Sequence, residues 1–159
     1  MKKILFLIAF AFTGIVNCAK AQTNYHEDDK EGLRIFLRQP SAEAGKINAQ
    51  QLGLTINDTL NWQNSEAWIE KIADFFYWND ELPKRLIKIV VDYPYSVWYG
   101  RNLAGILDAS KWSKLTILNC SDNKLHSLDV SKNSELIELN CNYCQLIELN
   151  VRNNAKLKN

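Results

Sequence analysis

Cys141-Asn142-Tyr143-Cys144 is the stretch whose residue types could do the most chemistry. Two thiols spaced C-x-x-C can form a redox pair or supply half of a zinc site. No second C-x-x-C exists. Cys120 precedes Cys141 at the interval of a sequence repeat, so the spacing reads as a by-product of that repeat. A Cys120–Cys141 disulfide between stacked strands meets the distance, but parallel neighbours fit its dihedral poorly. His26 and His126 are the two histidines, and neither has a Ser or Cys partner by spacing. There is no H-E-x-x-H, Gly-rich phosphate loop or G-x-S-x-G. Glu27-Asp28-Asp29 reads as a solvated helix start, and Glu135 and Glu138 recur with the repeat. The expectation is a chain without catalytic residues, metal or cofactor.

Composition narrows the partners. The net charge is +1, and Lys and Arg are dispersed along the chain, so nucleic acid is not expected. Residues 1–21 stand apart. Lys2 and Lys3 precede an apolar run from Ile4 to Val16, which is short for a membrane span and suits a signal peptide. Ala19-Lys20-Ala21 is a small-x-small site that starts the mature chain at Gln22. Alternatively, Ile15-Val16-Asn17-Cys18 is a lipobox-like stretch that lipidates Cys18, although Asn17 fits it poorly. Either reading implies export: a secreted, periplasmic or outer-surface protein, held at a membrane only if Cys18 is lipidated.

These residues have to be positioned by elements. Residues 22–84 read as a helical, aromatic-rich N-terminal cap. Leu33, Phe36 and Leu37 share one face of a helix that Asp28 or Asp29 caps and Pro40 ends. A weaker helix is expected from Ser41 to Gly53, then a loop, then a helix capped by Ser65 with Trp68, Ile72, Phe75 and Phe76 on one face. Asp58-Thr59-Leu60 in the loop fits an O-glycosylation acceptor at Thr59. The β-branched run after Arg85 reads as a strand.

From there the chain repeats. Leu115 returns as Leu136 and Leu157, Leu118 as Leu139, Cys120 as Cys141, Leu125 as Leu146, Val130 as Val151 and Asn133 as Asn154, always at the same 21-residue interval. Leu86, Ile89 and Val91 have the same spacing as Leu115, Leu118 and Cys120. The step from Leu86 to Leu115 is longer than the others, and the insertion that lengthens it falls near Asp92 to Gly100. Alternation over Leu118-x-Cys120 gives short strands with one buried face. Asn123 and Asn133 fall at bends, where an Asn side chain can satisfy turn backbone. One unit cannot bury enough surface alone, so neighbours and a cap must complete it.

"LTILNCSDNKL" and "LIELNCNYCQL" match L-x-x-L-x-[L/C]-x-x-[N/C]-x-L, and the chain resembles exported bacterial leucine-rich-repeat proteins of the 21-residue class. The resemblance implies an α/β chain of the α+β kind: a helical cap, then a short solenoid with a small parallel sheet over 85–159. About two and a half units are expected, the last incomplete at the C-terminus. It implies binding or adhesion to a protein or glycan through the solenoid face. That face is Lys88, Val90 and Asp92 on the first strand, Ile117, Asn119 and Ser121 on the second, and Glu138, Asn140 and Asn142 on the third. Tyr93, Tyr95, Trp98 and Tyr99 of the insertion either pack over the joint or form a sticky loop. The rival expectation is a truncated structural remnant with no activity of its own, and an uncapped last unit that self-associates.

Overall fold

The computed structural model describes residues 24–91 and 101–158. The leader with Cys18, and Asp92, Tyr93, Tyr95, Trp98 and Tyr99, lie outside these residues. The fold is mixed α+β, with four short helices and two small open sheets among the described residues.

Helix α1 (Glu27–Leu37) follows from its sequence. Glu27, Asp28 and Asp29 occupy the first turn, where carboxylates favour the positive end of the helix dipole. Leu33, Phe36 and Leu37 are buried. The cap expectation needs correction: His26 is the N-cap and its side chain makes no capping hydrogen bond. Asp29 points inward and is fully buried, because Arg85 and the Leu86 N–H claim its carboxylate at 2.9 and 2.8 Å.

The other helices are shorter than expected. Helix α2 spans only Asn48–Gln51, since Ser41 and Lys46 close a tight loop first. Helix α3 (Ile56–Asn61) forms where a loop was expected. Thr55 and Asp58 cap it reciprocally: Asp58 N–H donates to Thr55 Oγ1, and Thr55 N–H to Asp58 Oδ2. Helix α4 (Ala67–Lys71) ends before Phe75. Phe76–Trp78 is instead strand β1, so the cap is not purely helical.

Strands β2 (Leu86–Val90), β4 (Ile117–Asn119) and β6 (Glu138–Asn140) lie parallel, with Ile117 opposite Glu138 and Leu118 opposite Leu139. Strand β1 pairs antiparallel with β2, making the sheet β1-β2-β4-β6 mixed rather than wholly parallel. Strands β3 (Ala104–Asp108) and β5 (Lys124–Asp129) form a second, parallel sheet. Three buried columns run from unit to unit: Leu86, Leu115 and Leu136; Ile89 and Leu118; Val91 and Cys120. Leu139 and Cys141 continue the last two columns but are only partly buried.

Asn side chains tie the units at their bends. Asn133 Nδ2 donates to the Ala109 and Trp112 carbonyls at 3.1 and 2.7 Å. Asn154 repeats this one unit on, to Val130 and Asn133 at 2.9 and 2.8 Å. Trp112 holds the equivalent place in the first unit, and its Nε1–H donates to the Asp29 carbonyl of α1 at 3.1 Å. A Cβ on Gly32 would come within 2.6 Å of the Trp112 ring, so glycine is what lets α1 sit there. The indole thus does toward the cap what each ladder Asn does toward the preceding unit.

The cap also covers the outer edge of β3. Asn48 accepts from Ala104 N–H at 3.0 Å and donates to its carbonyl at 2.9 Å. Gln39 makes the same pair with Ile106, at 2.8 and 2.7 Å. Two amides therefore replace the strand that would otherwise add here, which removes an open edge. Gly105 between them has φ +92°, and a Cβ there would collide with the Gln39 carboxamide.

Candidate functional site

The outward face of the sheet β1-β2-β4-β6 is the candidate site. Strand pairing places Tyr77, Lys88, Ile117 and Glu138 in one row across it. Val90, Asn119 and Asn140 form the next row. Period-two alternation explains the selection: Ile89 and Val91 point into the core, so Lys88 and Val90 face out. The Lys88 ammonium stands 5.0 Å from the centre of the Tyr77 ring, and the Arg101 guanidinium 4.2 Å from that of Phe75. The cap side of the face is therefore aromatic and cationic, and the far side carries the exposed Glu138.

Tyr77 belongs to this face and was missed by sequence reasoning. Along β1 Phe76 is buried and Tyr77 exposed, and the aromatic run Phe75-Phe76-Tyr77-Trp78, with its strand propensity, is the signal that could have found it.

Ser121 does not belong to the face. It is 5% exposed, because the strand ends at Asn119 and the chain turns inward through Asp122, at φ 57°. Alternation stops where the strand stops. Asn142, one unit on, stays exposed as expected. Asn119 and Asn140 also have a structural duty. Each Oδ1 accepts the N–H two residues ahead, Ser121 and Asn142, at 3.2 Å. Asp108, Asp129 and Asn150 make the same turn bond to Ser110, Ser131 and Arg152 on the other side of each unit. The Ser131 N–H is what holds the Asp129 carboxyl below its ordinary value.

The remaining candidates are scattered. His126 is exposed on β5, and His26 lies near Asp28 at 4.0 Å. Glu135 pairs with Lys114 across one unit at 2.7 Å, which lowers its carboxyl. Thr59 lies in α3 and donates to the Ile56 carbonyl at 2.7 Å. Among the described residues no three His, Cys, Asp or Glu side chains stand close enough to hold a metal ion, and no helix is long and apolar enough to cross a membrane. A shallow groove of about 670 Å³ lies between Pro40 of the cap and Ile106, Lys124 and His126 of the second sheet. It is open and holds no cluster of convergent polar groups of the kind that fixes a small molecule.

Compared with protein-family models, curated proteins and solved structures, the chain matches none.

Proposed function

We propose that the chain is a non-enzymatic leucine-rich-repeat binding protein that is exported and recognises a protein or glycan through the open sheet face. One observation carries the reading: strands of successive units stack in register, so equivalent side chains line up in rows across three parallel strands. Such rows give a ligand a flat surface of regularly spaced groups. The Tyr77–Lys88 pair supplies an aromatic and cationic anchor at one end, Ile117 an apolar centre and Glu138 an acceptor at the other. Aromatic residues of this kind dominate recognition energy when a partner desolvates them. The face is small against the area that a stable protein interface buries, so a single contact is weak and multivalent display strengthens it.

A glycan array probed with the purified mature chain, presented multivalently, tests the reading. A set of bound glycans is expected, with binding reduced at least tenfold by Lys88→Glu together with Ile117→Asp. Binding that ignores both substitutions while the variant melts like the wild type would move recognition off this face.

A further inference from the structure

Cys144 follows Asn123 by one repeat interval and takes its place in the next unit. Asn123 Nδ2 donates to three carbonyls, those of Val91, Cys120 and Ser121, at 3.0, 3.1 and 3.0 Å. The Cys144 thiol reaches one, the Cys120 carbonyl, at 3.2 Å. That carbonyl belongs to a residue whose own side chain is a thiol in the third core column. The exchange of Asn for Cys thereby brings the Cys144 sulfur against the residue that carries the buried Cys120 thiol, and each thiol shifts the titration of the other. Cys120 is fully buried, whereas Cys144 is only partly buried. The thiol that faces Cys144 thus comes from the neighbouring unit, not from the C-x-x-C.

We propose that Cys144 and Cys120 form a two-thiol redox site, in which Cys144 exchanges with a small-molecule disulfide and Cys120 resolves the adduct into a Cys120–Cys144 disulfide. The Cys144 thiolate attacks one sulfur of the small disulfide. Its S–S bond breaks, and one small thiol leaves carrying the proton that Cys144 gave up. Cys144 is then joined to the other half. Cys120 loses its proton and its sulfur attacks the Cys144 sulfur. The second small thiol leaves with that proton. Two protein thiols are oxidised, and one small disulfide is reduced to two thiols.

The surroundings divide these roles. The neighbouring Cys120 side chain draws Cys144 down to about 7, against the opposing effect of burial, and the Asn123 and Leu125 N–H groups add to the shift. Near neutral pH this gives Cys144 on the order of ten times the thiolate of an ordinary cysteine. The same contact, with burial, pushes the Cys120 thiol up, so Cys120 keeps its proton until the adduct forms. Burial raises Cys141 and makes it the poorer nucleophile of the C-x-x-C. Closure clamps the end of β4 to the bend after β6.

The reduced full chain and its Cys141→Ser variant would be incubated with glutathione disulfide, alkylated and digested with trypsin without reduction. Peptides Leu115–Lys124 and Asn133–Arg152 should run as one cross-linked species in both. Cys144→Asn, which restores the residue found at Asn123, should abolish the cross-link and leave Cys120 unmodified by glutathione. A Cys141–Cys144 link in the wild type, or a stable glutathione adduct on Cys144 with no cross-link in Cys141→Ser, would overturn the proposal.

Discussion

Asp29 in the cap and Asn133 in the repeats are both fully buried polar side chains that satisfy backbone groups of another segment. They differ in how often the solution recurs. The Asn133 arrangement returns at Asn154, with the same two kinds of carbonyl at similar distances. The Asp29 arrangement occurs once among the described residues. Its carboxylate accepts from both Arg85 Nε and Nη2 at 2.9 Å and from the Leu86 N–H. Around it Lys30 and Arg34 are buried beside Glu27, Glu31 and Glu66. The repeats spread stability over many equivalent neutral bonds. The cap concentrates it in a few charged ones, at the strand where the first unit begins.

That contrast orders the expected losses. Asp29→Ala leaves the Arg85 charge half-covered and the Leu86 N–H unpaired, and should cost about 3–5 kcal/mol, as breaking a buried ion pair does. Urea unfolding checks it, and a loss below about 1 kcal/mol would mean that the cap is a passive cover. Leu118→Ala in the buried column should cost about 2–5 kcal/mol. Leu139→Ala, at the same place one unit on, should cost clearly less, because Leu139 is only partly buried. Equal losses would show that the third unit is as tightly packed as the second.

Asn133→Ala removes one hydrogen bond from each of the Ala109 and Trp112 carbonyls, which still accept the Trp112 and Leu115 N–H groups, and should cost within about 1–3 kcal/mol. The lower half of that range is expected, since Asn133 Oδ1 itself has no hydrogen-bond partner among the described residues. The smallest effect concerns Asp58, at the surface. The hydrogen bond from Lys71, then those from Thr55, hold its carboxyl down to about 2. A folded-state value below the ordinary 3.8 means that this stabilisation is present above about pH 4 and is lost as pH falls from there through about 2. The difference in melting temperature between wild type and Asp58→Asn should therefore shrink across that window and hold constant from pH 5 to 7.

The same contrast explains what could be read from the sequence. The 21-residue interval, the columns through Leu118 and Cys120 and the bend asparagines were legible, because each residue type repeats with its role. In the cap every contact is singular. Nothing local marks Asp29 as the partner of Arg85, 56 residues away, or Asn48 and Gln39 as the amides that close β3. The Trp68, Ile72, Phe75 and Phe76 spacing fits a helix, but Phe76 also fits a strand, and pairing with β2 decides it. A signal was available for α3 in Thr55-x-x-Asp58, a capping box with Asp in place of Glu. For the sheet face, the pattern located Lys88, Val90, Ile117, Asn119, Glu138 and Asn140. It failed at Ser121, because alternation does not report where a strand ends.

Amide hydrogen exchange tests most directly whether cap and repeats form one cooperative unit. Val91 and Cys120 N–H bond across strands to Asn119 and Asn140, while Leu86, Ala104 and Ile106 N–H bond to Asp29, Asn48 and Gln39 of the cap. In wild type all five should be protected to similar extents. Asp29→Ala should lower all five together, those of Val91 and Cys120 included. If those two kept their protection while Leu86, Ala104 and Ile106 lost theirs, the stacked units would stand without the cap, and cap and repeats would not be one cooperative unit.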